Sequence, residues 1–367
     1  MSRKRATLKE VAEVAGVSIA TVSNVFSGRK PVNDDLRIKV ERAAKELSYQ
    51  VDRAASQLKS GRARVVGVLV PDLDDTFFTS LISRIEVMAL KDGYDVIVAS
   101  SRDDRHLEES RLQTLLGWRP SGIIAVPCSD TVPAILAREV GHLPMVLVDR
   151  VMPGSVAADT VTIDNFEAGE IAARYLVEMG HSDIVLAASH LDIAPIRERV
   201  RGAASVAERM LGRAPAAIGL GSNAERGAQL FTHWLERHPL PSAVFALTNV
   251  TTLAVLTALA RQRIDIPEQV SIIGFDDYTW MSARKTALTA IRQPVDEIAR
   301  VAWERLQARI AGDAADPYPS ILNTSLQVRD STRRLVPSPA GERLKGVEEQ
   351  GVDPAGDAAK DRPNSIH

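Results

Sequence analysis

The sequence predicts a small all-α helix-turn-helix headpiece joined to an α/β body folded as two lobes. Three observations carry that prediction. Short capped amphipathic stretches fill the first fifty residues. From Val65 onward, runs rich in Val, Ile and Leu alternate with amphipathic helical ones. The alternation continues for roughly 270 residues, more than one covered sheet holds.

Thr7 and Glu10 have the spacing of a capping box, and Leu8, Val11, Ala12 and Ala15 recur at helical intervals until Gly16 ends the helix. Ser18 caps a second helix whose Val22, Val25 and Phe26 turn inward, leaving Ile19, Ala20, Ser23 and Asn24 pointing away. Asn33 or Asp34 opens a third helix, Leu36 to Leu47, with Val40, Ala43, Ala44 and Leu47 on one face. Two short helices joined at Gly16 and Val17 make a helix-turn-helix; a generic helical bundle is the plainer alternative. Charge favours the former. The chain carries a formal net charge of −2, yet residues 1–62 hold 13 Lys and Arg against 7 Asp and Glu, leaving 32 against 40 in the remainder. A basic head on an acidic body is the asymmetry of a protein that brings one end to phosphate.

In a helix-turn-helix the second helix lies in the major groove. Asn24 is then the candidate base reader, because its amide matches adenine N6 and N7, while Ile19 and Ala20 can meet a thymine methyl. Thr7, Lys9, Thr21 and Ser23 are candidates for phosphate, with Ser18 at the same helix start.

In the body, strands are expected at Val65 to Val70, Asp95 to Ala99, Gly122 to Val126, Met145 to Val148, Asp183 to Ala188, Ser242 to Leu247 and Val270 to Gly274. Amphipathic stretches such as Thr79 to Lys91, Leu107 to Leu116 and Glu167 to Met179 lie between them, which predicts parallel sheets covered on both faces. Ligands collect at the carboxyl ends of strands in such sheets. The polar residues there are Asp72 to Phe78, Ser100, Ser101, Cys128, Asn249, Asp276 and Asp277. Phe77 and Phe78 offer apolar faces and the acids and amides accept hydroxyl protons, a set suited to a sugar or polyol. Generic loop polarity is the alternative for each residue alone. Trp280 either adds a stacking wall or packs beneath the loop.

Several further classes are disfavoured. Cys128 is the only cysteine, so no intramolecular disulfide or multi-cysteine metal site is available, and no cofactor is expected. Met1 to Arg5 is basic but runs into Lys9, Glu10 and Glu13 rather than an apolar core, so it does not read as a signal peptide and a cytoplasmic location is expected. The longest uncharged run, Pro239 to Ala260, contains two prolines and four polar residues from Thr248 to Thr252, and reads as strand, loop and buried helix rather than a membrane span. The stretch Gly219 to Ala224 weakly matches a dinucleotide fingerprint, but the next strand ends in Thr248 and Asn249 with no acid for a ribose. The seven histidines show no metal spacing, and no nucleophile elbow is present, so an enzyme is not expected.

The run from Leu8 to Asn24 (LKEVAEVAGVSIATVSN), followed by Val40 to Tyr49, resembles the headpiece of the lactose-repressor (LacI) family of bacterial regulators. The resemblance extends to about residue 336 through Pro71 to Phe78, Val148 to Arg150, Val161 to Asn165, Val270 to Asp277 and Ala290 to Pro294. It implies a body like the periplasmic sugar-binding proteins, two lobes linked by crossovers near residues 162, 292 and 321. It also implies a homodimer on double-stranded, pseudo-palindromic operator DNA, controlled by a small-molecule effector. The alternative is a solute-binding protein of the same fold without a regulatory role. The implied layout is a DNA-binding domain at 1–50, a hinge at 51–61, an effector and dimerisation domain at 62–336 and a disordered tail at 337–367 that lacks tetramerising heptads. Leu58 matches the family's hinge leucine, which wedges into the minor groove. Ligand positions carried over are Asp72, Phe77, Arg199, Asn249 and Asp276, with Arg199 expected to reach from one lobe across the cleft and Asp276 expected as its counter-charge or co-ligand. A solvated helix face beside Arg197, Glu198 and Arg201 is the alternative for Arg199.

Departures from the family pattern fall at functional positions. Val51 and Asp52 replace the usual Pro-Asn, and Ser56 a frequent Arg; Asp52 is read as a cap for the hinge helix. Asp75 and Thr76 replace Asn-Pro, and Thr248 and Asn249 replace Asn-Asp, so the effector is expected to differ from a simple neutral hexose.

Overall fold

The computed structural model of the chain describes residues 6–27, 31–47, 49, 64–151 and 157–335. The expected hinge with Leu58, and the expected tail at 337–367, lie outside the described residues.

The headpiece contains helices Leu8–Ala15, Ile19–Ser27 and Asp34–Glu46. The first opens on the reciprocal capping box, in which Glu10 N donates to Thr7 Oγ1 at 3.3 Å and Thr7 N donates to Glu10 Oε2 at 2.6 Å. It closes at Gly16 with φ +63°, a left-handed conformation in which a side chain is strained. Asn33 caps the third helix by accepting from Asp35 N. Val11, Val22 and Val40 are fully buried and meet Ala12, Ala43 and Ala44, while Phe26 and Tyr49 close one side with ring centroids 5.7 Å apart. One core residue per helix thus sets the angle at which the second helix is presented.

The described residues of the body form two six-stranded sheets. The first has the order β11-β5-β4-β3-β1-β2. Its strands are β1 (Val65–Val70), β2 (Asp95–Ser100), β3 (Gly122–Ala125), β4 (Met145–Val148), β5 (Asp159–Ile163) and β11 (Pro319–Leu322), all parallel. The second has the order β12-β10-β9-β8-β6-β7. It comprises β6 (Ile184–Ala188), β7 (Ala216–Gly219), β8 (Ala243–Ala246), β9 (Ser271–Phe275), β10 (Thr289–Arg292) and β12 (Ser325–Gln327). Only β12 runs antiparallel to its neighbour within this sheet. Central strands such as β1 and β3 are buried at every position, which is why they read as unbroken apolar runs rather than alternating ones.

The chain leaves the first sheet after Ile163, returns to it between Arg292 and Pro319, and passes back between Leu322 and Ser325. Each sheet is therefore completed by segments distant in sequence. The helix Val295–Ala311 belongs to the first lobe, where Trp303 Nε1 donates to Asp92 Oδ2 at 2.7 Å and packs edge-on against Tyr94. Across the lobes, Arg197 Nη2 donates to Asp130 Oδ2 at 3.0 Å.

In the second lobe, helices Asn165–Glu178 and Ala194–Leu211 touch backbone to backbone. A Cβ at Gly202 would lie 1.9 Å from the Phe166 carbonyl oxygen, and one at Gly169 would lie 2.1 Å from that of Arg199. These two glycines bring the start of the first helix against Arg199 on the second.

Candidate functional site

The carboxyl ends of strands from both sheets face one another across a cavity of about 650 Å³. The first lobe contributes Asp72, Asp75, Phe77 and Phe78 from the loop and helix after β1, and Asp149 and Arg150 after β4. The second contributes Arg199 from its helix, Asn249 after β8, and Asp276 and Trp280 after β9. Gln293 enters from the crossover after β10. Asp72, Phe77, Phe78, Arg199, Asn249, Asp276 and Trp280 are thus brought together as the sequence predicts. Trp280 lines the cavity and also packs against the core beneath the loop.

Local backbone chemistry aims these groups. Asp75 caps the helix Thr76–Lys91 by accepting from Phe77 N at 2.9 Å. Asp149 and Asp276 follow their strands in left-handed conformation, φ +67° and +81°, which Asp tolerates better than larger residues. Thr248 caps the helix Asn249–Arg261, so Asn249 occupies its first turn with its N–H donating to Asp276 Oδ2 at 3.2 Å. Gln293 Nε2 donates to the other Asp276 oxygen at 2.5 Å. The next residue, Asp277, has a buried side chain paired with Arg292 and Arg329 at 2.6 Å each. Consecutive aspartates therefore face the cavity and the arginines of the crossover strands.

Arg199 departs from both expectations. It is 4% exposed, so the solvated-face reading fails; Arg201, two residues further along on the other side of the helix and paired with Glu198, is the exposed arginine. It does not reach across the cleft either, because its bonds stay in its own lobe. Nε donates to Asn165 Oδ1 at 2.8 Å and Nη1 to the Leu247 carbonyl at 2.6 Å, with the guanidinium 3.6 Å from the Phe275 ring centroid. The interaction with the opposite lobe is through charge. Burial lowers the Arg199 pKa, and Asp276 of its own lobe and then Asp149 of the facing lobe oppose that shift.

The carboxyls respond in kind. Burial, then the nearby Asp276, pushes Asp75 up to about 7. Asp276 and Asp149 are also raised by burial, with Arg199 as the largest opposing influence on each. Acids from facing lobes repel, and one buried arginine holds them.

Ser101 and Cys128 need correction. Both sit at strand ends but behind the wall, where Ser101 Oγ and Cys128 Sγ bond to each other at 2.9 Å. Cys128 N donates to the buried Glu108 carboxylate at 2.7 Å, and burial pushes the thiol up to about 12. Neither lines the cavity.

In the headpiece, Ile19 and Ala20 are exposed and Ser23 and Asn24 half-buried, one turn apart on the same side of the second helix. Ser18 accepts from Thr21 N at 3.0 Å and also bonds its hydroxyl, and Lys9 lies 4.0 Å from Glu13 on the surface. The Thr7 hydroxyl is engaged with Glu10.

Asp149, Gln293, His190, Ser222 and Asn223 also line the cavity and were not assigned to it from sequence. The first two lie in motifs quoted above as landmarks, which was their available signal. Ser222 and Asn223 belong to the strand, glycine turn and helix that gave the weak dinucleotide match.

Residues 7–52 match the profile of bacterial regulatory proteins, lacI family, and residues 173–332 that of the periplasmic binding protein-like domain. The chain is 33% identical over 337 residues to the HTH-type transcriptional regulator PtxS of Pseudomonas aeruginosa, covering 90% of this chain and 97% of the relative. It is 30% identical over 311 residues to the ribose operon repressor of Escherichia coli, covering 83% and 93%. The solved lac repressor dimer bound to operator and the anti-inducer ONPF superposes with a TM-score of 0.79 at 26% identity, covering 90% of this chain and all of that one.

Proposed function

Because this chain belongs to the LacI family of bacterial regulatory proteins, we propose that it is an operator-binding repressor whose DNA affinity is set by a small polar metabolite held between its lobes. The observation that carries this reading is the pairing, in one chain, of a helix-turn-helix with an interlobe cavity walled by buried polar groups. A solute-binding protein has no use for the first, and relatives spanning nearly their whole length are named as regulators. Asn24 reads a base edge, Ile19 and Ala20 meet methyl groups, and Lys9, Ser23 and the helix start at Ser18 and Thr21 set the helix on phosphate. Leu58 supplies the minor-groove wedge.

The chain divides into headpiece 1–50, hinge 51–61, effector and dimerisation domain 62–336 and tail 337–367. It acts as a homodimer on a pseudo-palindrome, since two headpieces on a two-fold axis read inverted half-sites. It works in the cytoplasm, where its operator lies, and carries no catalytic activity.

Residues 62–336 alone should remain folded and bind no DNA, whereas the full chain binds an operator selected from genomic fragments. Each phosphate neutralised contributes about −0.9 to the slope of log affinity against log salt. Equal DNA binding by both proteins, or a complex indifferent to salt, overturns the reading.

A further inference from the structure

Asp276 and Asp277 are consecutive, yet their side chains serve different parts of the molecule. Both follow β9 in left-handed conformation, φ +81° and +50°. Asp276 lines the cavity, where its carboxylate accepts from Asn249 N at 3.2 Å and from Gln293 Nε2 at 2.5 Å. Asp277 lies outside the cavity wall. Its side chain is 1% exposed and meets Arg292 Nη2 and Arg329 Nη1 at 2.6 Å each, and Arg292 Nε also donates to it at 2.7 Å.

The two arginines stand on the strands that carry the chain between the lobes. Arg292 ends β10, from which the chain crosses to the helix Val295–Ala311, and Arg329 follows β12, which receives the chain back from β11. These strands pair antiparallel, with Arg292 opposite Ser325. Arg329 is fastened to β10 a second time, its N–H donating to Thr289 Oγ1 at 3.0 Å. One carboxylate therefore fixes two crossovers to the loop that walls the cleft. Sliding either strand past that loop leaves a buried charge short of a partner, which is costly, so loop and crossovers move as one body.

We propose that Asp277 is the joint through which the cleft governs the angle between the lobes, a positioning residue that touches no ligand itself. This rests on the reading of the chain as an operator-binding regulator and assigns the coupling within it. Cleft contents act on Asp276 and Gln293, which line the cavity beside the joint. The clamp at Asp277 converts a shift of that loop into a movement of β10 and β12, and so of the first lobe, whose β1 continues the chain from the headpiece. Without the clamp the lobes sample a spread of angles. Apparent operator affinity then falls in proportion to the fraction of molecules that keeps the binding arrangement.

The test uses the full chain and, as probe, the operator duplex selected from genomic fragments. Asp277→Asn keeps the side-chain shape and suits a left-handed backbone, so it removes the charge alone. Hydrogen exchange read by mass spectrometry should rise across residues 289–292 and 325–329 and stay at the wild-type level in β6 and β8, with circular dichroism showing both proteins folded. Operator affinity should fall by about tenfold or more. Arg292→Gln changes a half-exposed residue and releases one crossover, which keeps the test decisive should Asp277→Asn not fold. It should raise exchange in 289–292 and weaken operator binding by about threefold, with no further loss when added to Asp277→Asn. Unchanged exchange at the crossovers overturns the clamp. Exchange raised throughout the second lobe, operator affinity unchanged or increased, or losses that multiply in the double variant overturn the coupling role and leave Asp277 a stability residue. A wild-type chain that binds no genomic fragment overturns the regulator reading, and the proposal with it.

Discussion

Arg199 Nε donates to Asn165 Oδ1 at 2.8 Å, which ties the buried guanidinium of the cleft to the first residue of the helix that follows the first passage between lobes. The guanidinium therefore senses the cavity on one side and a crossover element on the other. Asp276 and Asp277 repeat the pattern, one facing Gln293 and Asn249, the next gripped by Arg292 and Arg329. A ligand that moves these groups also moves the strands that join the lobes.

Arg199→Ala should abolish the effector response while leaving operator affinity without effector within a factor of a few. Fluorescence anisotropy on operator DNA, with effector varied, reads both. A response at the wild-type effector concentration shows that Arg199 does not act in the site.

Gly202→Ala should destabilise the second lobe by about 1–3 kcal/mol, because the new methyl meets the Phe166 carbonyl and must push two helices apart. Urea denaturation measures the loss. Gly212→Ala serves as a control, with open space around the new methyl and strain only from its positive φ. Unchanged stability in Gly202→Ala contradicts the backbone contact.

The pH dependence of stability follows from Asp75. Its carboxyl titrates at about 7 in the folded chain against 3.8 as the reference value, so between those values the folded state holds a proton that the unfolded state has lost. Its contribution therefore falls as pH rises from about 4 through 7. Asp75→Asn should gain stability relative to wild type across that window, little at pH 4 and most above pH 7, by thermal or denaturant melts. A constant difference between the two proteins shows that Asp75 is not raised.

Asn24→Ala should weaken cognate operator binding by about 1–3 kcal/mol while nearly sparing non-specific DNA, since a base contact carries discrimination. Competition between operator and random duplex distinguishes this from a phosphate role, which weakens both alike.

Much of this architecture was legible because its signals are local. Capping residues and helical spacing define the headpiece, and β1, β3 and β4 are short apolar runs buried on both faces. The strands not anticipated from apolar runs are β5, β7, β10, β11 and β12: β7 and β11 are partly exposed, β12 has three residues, and β5 and β10, although buried, carry Asp, Thr or Arg within DTVTI and TAIR. Their pairing depends on partners far along the chain, as in β11 beside β5. In the site, strand-end position found Asp72, Asn249 and Asp276. The same rule misplaced Ser101 and Cys128, because a strand end becomes a wall only if no loop covers it. The burial of Arg199 was hidden for a related reason. Its neighbours Arg197, Glu198 and Arg201 look solvated, and only the close approach of Gly169 and Gly202 to the facing backbones encloses residue 199.

The central claim is that occupancy of the interlobe cavity and occupancy of DNA are one linked equilibrium. It is tested by titrating the full chain onto its selected operator with and without saturating effector, and titrating effector onto the protein with and without operator. The account predicts a change in operator affinity of about 5- to 150-fold, matched by the same factor in effector affinity, as linkage requires. An effector that binds the cleft tightly and leaves operator affinity unchanged contradicts it.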